Sequence, residues 1–188
     1  MKKLLKTTFK SIHANYIKHF SYLADIFNFN SIEQLTNKLR LLYRASEHNF
    51  ECSKFHQLCD GKGKTLVLIR SKSKNLFGGY STISWHSNSA YSSAPGSFLF
   101  SLDKQTKHTI YQNEGKAIYG NSSRGPDFGG TDLYLYNKCH SNNSGSYSNL
   151  GNTYCLPPSI SYNTNESQSY LAGSYQFEVE EYEVFLVD

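Results

Sequence analysis

Residues 125–139 read GPDFGGTDLYLYNKC. Two adjacent glycines, Gly129 and Gly130, stand directly before an alternating run. In an extended chain Leu133 and Leu135 fall on one side of that run, and Tyr134 and Tyr136 on the other. The pattern is that of a β-strand entered through glycines, which permit positive φ or a close approach of two backbones. Asp127-Phe128-Gly129 also matches the magnesium-holding tripeptide of protein kinases. A kinase needs a Gly-rich phosphate loop, a strand lysine and a catalytic loop ahead of that tripeptide. The chain contains no G-x-G-x-x-G and no His-Arg-Asp, so the kinase reading is set aside. Phe-Gly-Gly recurs at Phe77-Gly78-Gly79, again beside strand-like sequence. Both copies are expected to be tight bends or bulges with the preceding Phe in the core, in preference to phosphate-cradling loops.

The surrounding composition agrees with a strand-rich fold. The chain has 188 residues, a length that suits one domain. Aromatic residues make up 15%, with 15 Tyr and 12 Phe against one Trp and one Met. Tyr and Phe favour strands, and the Ser, Asn and Gly between them favour turns. The net charge of +4 falls short of the basic footprint of a nucleic-acid binder, so no nucleic-acid partner is expected. Lys2, Lys3, Lys6, Lys10 and Lys18 precede the first acid, Asp25, whereas Glu178, Glu180, Glu181, Glu183 and Asp188 crowd the end.

Outward from residues 125–139, TLVLIRS at 65–71, LFGGY at 76–80 and SFLFSL at 97–102 read as buried strands. HTIYQNEGKAIYG at 108–120 reads as a hairpin turning at Asn113-Glu114-Gly115. The segment 140–168, rich in Asn and Ser, is expected to be a long loop, either functional or partly disordered. Near the end, Tyr175, Phe177 and Val179 share one parity and Tyr182, Val184 and Leu186 the other. That change of phase predicts a bulge near Glu180-Glu181. Toward the N-terminus, Leu5, Phe9, Ile12, Tyr16 and Phe20 form one helical face within residues 4–20. Ser31 is the predicted N-cap of a second helix, with Gln34 as its capping-box partner and Ile32, Leu35, Leu39, Leu42 and Tyr43 as its stripe. A third helix, in 50–60, buries Phe55, Leu58 and Cys59 and ends at Gly61 and Gly63. Helices followed by about seven short strands predict an α+β, β-rich fold or a β-sandwich flanked by helices.

Candidate chemistry is sparse. Cys52, Cys59, Cys139 and Cys155 form no CxxC. Met1–Lys6 runs into Thr, Lys, Ser and His rather than an apolar stretch, so a cytoplasmic chain with reduced thiols is expected. Lys54, His56 and Lys62 neighbour Cys59, and Lys138 and His140 neighbour Cys139, which raises a thiol-based peroxide-scavenging enzyme as an alternative. The seven histidines show no HxH or HExxH, and no G-x-S-x-G elbow is present. No catalytic residue, metal or cofactor is therefore assigned. The basic amphipathic face within residues 1–24 also suits contact with a membrane surface, the alternative being packing on the domain.

Six blocks now stand in order: TLVLIRSKSKNLFGGY, Ser84-Trp85, SFLFSL, GPDFGGTDLYLYNKC, SYSNLGNTY and ESQSYLAGSYQFEVEEYEVFLV. Together they closely resemble the TLDc domain, the C-terminal module of oxidation-resistance proteins. The upstream LLYRASEHNFECSKFHQLCDGKGKTL resembles the start of that domain. The resemblance covers about residues 35–187, and the expected division is a helical extension over 1–30 and a TLDc-like domain over 31–188. It implies a sandwich of two antiparallel sheets with helices around it. It further implies a non-catalytic module that binds the peripheral sector of the vacuolar proton-pumping ATPase, at the cytosolic face of acidic organelles, and takes part in oxidative-stress resistance. The matching positions are Gly78, Gly79, Gly129, Gly130, Asp132, Glu166, Ser169, Gly173, Glu180 and Glu183, most of them expected to be structural. Glu180 and Glu183 are read as a solvated strand face or a partner surface.

Overall fold

The computed structural model describes residues 17–141 and 145–188. Two antiparallel sheets face each other, as the family resemblance implies. The larger has the order β1-β11-β2-β3-β5-β6 and the smaller β10-β9-β8-β7-β4. In the larger lie β1 (Leu39–Arg44), β2 (Thr65–Ser71), β3 (Leu76–Ser81), β5 (Phe98–Ser101), β6 (Thr106–Thr109) and β11 (Val179–Val187). In the smaller lie β4 (Asn88–Ser92), β7 (Ile118–Asn121), β8 (Arg124–Phe128), β9 (Leu133–Tyr136) and β10 (Tyr147–Ser148). The helices are α1 (Ile17–Ile26), α2 (Ile32–Asn37), α3 (Cys52–Cys59) and α4 (Asn165–Ser169).

β2 shows why its sequence is an unbroken apolar run. Val67 and Ile69 point into the space between the sheets, with Phe77, Trp85, Phe128 and Tyr182. Leu66 and Leu68 point the other way, onto Phe20, Leu23 and Leu35 of α1 and α2. A strand covered on both faces has no polar side to alternate with. Each large side chain buried in this outer layer contributes about 1.5–3 kcal/mol. Of the stripe read in residues 4–20, Phe20 is fully buried in that layer, while Leu5, Phe9, Ile12 and Tyr16 lie outside the described residues. Ser31 caps α2 as expected, its hydroxyl accepting from the Gln34 amide at 3.2 Å, but the Gln34 side chain accepts from the Asn30 amide at 2.9 Å rather than from that of Ser31, so the expected capping box is not closed. The β11 register slips between Val179 and Glu181, where the bulge is predicted.

Three further expectations are corrected. The second helix stops at Asn37, because Leu39–Arg44 pairs with β11 instead. The spacing of Leu39, Leu42 and Tyr43 imitates a helical stripe, but cross-strand pairing over the core outweighs local propensity. Residues 108–120 are not a hairpin. β6 pairs with β5 and β7 with β4 and β8, so Asn113–Lys116 carries the chain from one sheet to the other. The first Phe-Gly-Gly is not a bend, since Gly78 and Gly79 run inside β3 with no positive φ. They are glycine for lack of room. A Cβ on Gly78 would fall on the Val67 carbonyl oxygen, and one on Gly79 would lie 2.5 Å from the tip of the Phe128 ring. The second Phe-Gly-Gly is the expected turn, with φ of +70° at Gly129 and +71° at Gly130.

His108 ties β6 to the segment beyond β10. Its Nδ1–H donates to the Cys155 carbonyl at 2.8 Å and its Nε2 accepts from Thr106 at 2.9 Å. Burial lowers its pKa from 6.5 to about 4. The unfolded chain thus takes up this proton first, so stability is full above pH 6.5 and falls as pH drops toward 4. Urea unfolding across that window should show a loss of about 3 kcal/mol in the wild type relative to His108→Asn. Equal slopes for the two proteins would refute the assignment. The close approach at β3 makes a second prediction: Gly78→Ala should cost about 1–3 kcal/mol, because a backbone carbonyl must move. Gly115→Ala, where a new Cβ meets nothing within 4 Å, should stay within about 0.5 kcal/mol in the same assay.

Candidate functional site

The outer face of the smaller sheet differs from that of the larger. Tyr147 registers with Tyr134, Tyr134 with Asp127, and Tyr91 with Tyr119. Register partners share a face, so these side chains form a row across all five strands. Ring centroids are 4.6 Å apart for Tyr91–Tyr119, 4.1 Å for Tyr134–Tyr147 and 5.3 Å for Tyr147–Tyr175. Arg124 closes the gap between the two halves. Its guanidinium lies 5.2 Å from the Tyr119 centroid and 4.4 Å from that of Tyr134, and Nη1 donates to Asp127 Oδ2 at 2.8 Å. Lys116 sits 5.8 Å above Tyr91. Pro126 is accommodated in β8 because the register slips between Arg124 and Asp127, which removes the need for its missing N–H.

The electrostatics of this row follow from burial. Asp127 is fully buried, and burial pushes its carboxyl up to about 6 against the pull of Arg124. Burial also raises the phenols of Tyr91, Tyr134 and Tyr147, so each keeps its proton, and Tyr147 donates its own to the Gly130 carbonyl at 3.4 Å. Tyr91 and Tyr175 are 46% and 41% exposed, and Tyr119 and Tyr147 are half-buried. A fixed row of tyrosines around an arginine has the composition of a protein interface, with large contact area and few torsions to freeze. Of these residues the sequence reading placed only Tyr134 and Tyr136 on one face. Arg124, Asp127 and the tyrosines of β4, β7 and β10 were missed, because each of these strands carries a single tyrosine or none and shows no alternation of its own.

The positions marked by resemblance divide among several places. Gly79 meets Phe128, and the Gly129-Gly130 turn then delivers Asp132 to the interior. Asp132 Oδ1 accepts from the amides of Gly151, Asn152 and Tyr154 at 2.9, 3.0 and 3.3 Å, and Oδ2 from that of Thr153 at 2.9 Å. Burial pushes this carboxyl up to about 7 while the four amides pull it down. The Asn/Ser segment is thereby ordered over residues 145–168, with Ser146, Ser148 and Thr153 buried. Glu166 and Ser169 lie on α4 beside a cleft of about 360 Å³ that Lys104 and Tyr170 also line. Gly173, with φ of +91°, follows that helix. Glu180 pairs with Arg70 and Lys74, each at 2.8 Å. Glu183 is fully buried and accepts from Arg44 Nε at 2.6 Å, so it is neither a solvated face nor a partner surface.

A family model for the TLDc domain matches residues 12–188. The chain belongs to the TLDc domain family. No curated protein matches it. The matched region of this TLDc domain takes in α1, whose Phe20 and Leu23 pack on the larger sheet. Among the described residues no helix is long and apolar enough to cross a membrane.

The two cysteines of the TLDc domain read as candidate nucleophiles, Cys59 and Cys139, are not poised as thiolates. Cys59 and Cys139 have no exposed surface, and burial pushes both thiols well up. Asp60 adds to the rise at Cys59, and Lys62 opposes it without reversing it. His56 is engaged elsewhere, with Asp60 at 2.8 Å and the carbonyls of Asn121 and Arg124 at 2.9 Å. His140 stacks on Phe50 with centroids 4.4 Å apart. Cys52 is pushed up to about 12, and Cys155 alone of the four is partly exposed. Brief iodoacetamide treatment of the folded protein at neutral pH, read by peptide mass, should label Cys155 and spare the other three. Prompt labelling of Cys59 or Cys139 would revive the peroxidatic reading.

Proposed function

We propose that this TLDc domain is a non-catalytic protein-binding module. It engages the peripheral sector of the vacuolar proton-pumping ATPase at the cytosolic face of acidic organelles, regulates its assembly or activity, and through it takes part in resistance to oxidative stress. The observation that carries the binding reading is the tyrosine and arginine row, in which Tyr91, Tyr175 and Arg124 keep exposed surface although the row is pre-packed around the buried Tyr134. The choice of partner rests on family membership. The competing peroxide scavenger loses support because its two candidate thiols are buried and protonated. A membrane-facing role for the N-terminal stripe loses Phe20, which is spent on the core.

The test is affinity capture of the tagged chain from its own cells, with bound chains identified by mass. Near-stoichiometric recovery of peripheral ATPase subunits is expected. Recovery of none, under conditions where the pump stays assembled, would remove the reading.

A further inference from the structure

We infer that the tyrosine and arginine face of the smaller sheet is a docking surface for an acidic segment of a protein partner, with Arg124 as its anchor. The inference rests on the protein-binding reading above and names the chemistry of the partner. Charge is the first argument. Asp127 is fully buried, so a partner meets the Arg124 guanidinium and the Lys116 ammonium rather than the carboxylate beneath them. Glu114, on the same short turn as Lys116, lines a separate cleft with Pro95, Gly96 and Ile110.

Hydrogen bonding is the second argument. A guanidinium carries five N–H donors. Only Nη1 of Arg124 has a partner among the described residues, and the side chain is 30% exposed. The remaining donors match the two oxygens of an incoming carboxylate. The phenol of Tyr91 keeps its proton and adds a neutral donor along the same row, whereas that of Tyr147 donates to the Gly130 carbonyl and offers its ring face. Preorganisation is the third argument. Two rings and the Asp127 carboxylate already hold Arg124 in place, so little side-chain freedom remains to be lost on binding. An arginine fixed among aromatics at the centre of a face is the usual make-up of an interface hot spot.

The test uses the full chain and a fluorescein-labelled dodecapeptide of alternating Glu and Ala, read by anisotropy at low and high salt. The Gln/Ala counterpart, an oligothymidylate and phosphatidylserine vesicles are run beside it. The Glu peptide should bind, and the Gln peptide at least about tenfold more weakly. Arg124→Gln/Asp127→Asn removes the guanidinium without stranding a buried carboxylate, and it leaves the net charge unchanged. It should weaken the Glu peptide by about tenfold or more, whereas Lys54→Gln, on α3, should leave binding unaltered although it lowers the net charge. Should the double variant melt early, Lys116→Gln with Tyr147→Ser replaces it, with the same expectation. No binding of the Glu peptide, equal binding by the variants, or a stronger response to oligothymidylate or vesicles that the same variants abolish would overturn the inference. Capture of ATPase subunits by Arg124→Gln/Asp127→Asn at the wild-type level would sink the docking face and leave the proposed function standing. Glu-peptide binding without subunit capture by the wild type would do the reverse.

Discussion

The tip of the Phe128 ring rests on the backbone of Gly79, and the two sheets meet there. Any side chain at position 79 would hold β8 away from β3. The contact fixes more than a distance. Trp85 packs edge-on against Phe128 with centroids 5.3 Å apart and donates through Nε1 to Thr65 at 2.8 Å, so the interior is indexed to β2 from the same point. Beyond Phe128 the left-handed pair Gly129-Gly130 turns the chain and sends Asp132 inward. The four amides gathered by Asp132 then order a segment whose sequence holds few apolar residues. The outer row of tyrosines sits on the strands that this sequence of contacts has positioned.

Buried charge plays a corresponding part at the other end of the core. Arg44 of β1 and Glu183 of β11 are joined at 2.6 Å with almost no exposed surface, and Arg44 also reaches Glu47 at 2.6 Å. Such a pair adds little net stability against an apolar replacement, but removing one partner strands the other. Its effect is on register. A slip of β1 by one residue would leave an ion without its counterpart, whereas leucines alone would tolerate the slip more readily. Asp132 works in the same way for a loop, since four converging amides admit only one arrangement of residues 151–154.

Strands with apolar content were legible from sequence. β2, β3, β5 and β9 announce themselves as short apolar runs, and β11 by its break in parity at Glu180. What failed was information that is not local. Leu39–Arg44 reads as helix until β11 is available to pair with it. Asn113-Glu114-Gly115 signals a turn truthfully, but a turn does not say that its flanking strands belong to different sheets. β4 and β8, with sequences NSAYS and RGPDF, carry turn-forming residues and a proline, so their strand character is imposed by neighbours. The candidate face was half hidden for the same reason, because Tyr91 and Arg124 come from strands that do not look like strands, although Tyr119 and Tyr134 do not. The glycine pairs were visible as unusual, but the crowding that explains Gly78 and Gly79 exists only in three dimensions.

β11 lies between β1 and β2, so the last of the described strands sits inside the larger sheet and joins the edge strand β1 to the rest. Arg44 must wait for Glu183, which lies 139 residues further along the chain. During vectorial synthesis, β1 and β2 therefore emerge from the ribosome with no strand between them, and their inner edges stay open until β11 emerges. Long-range pairing of this kind slows folding and prolongs the time an unpaired edge is on offer. An edge left open for that time is a template for pairing with another chain. A ribosome stalled even a few residues before β11 would hold a chain whose β2, β3, β5 and β6 can pair while β1 has nothing to join it to them.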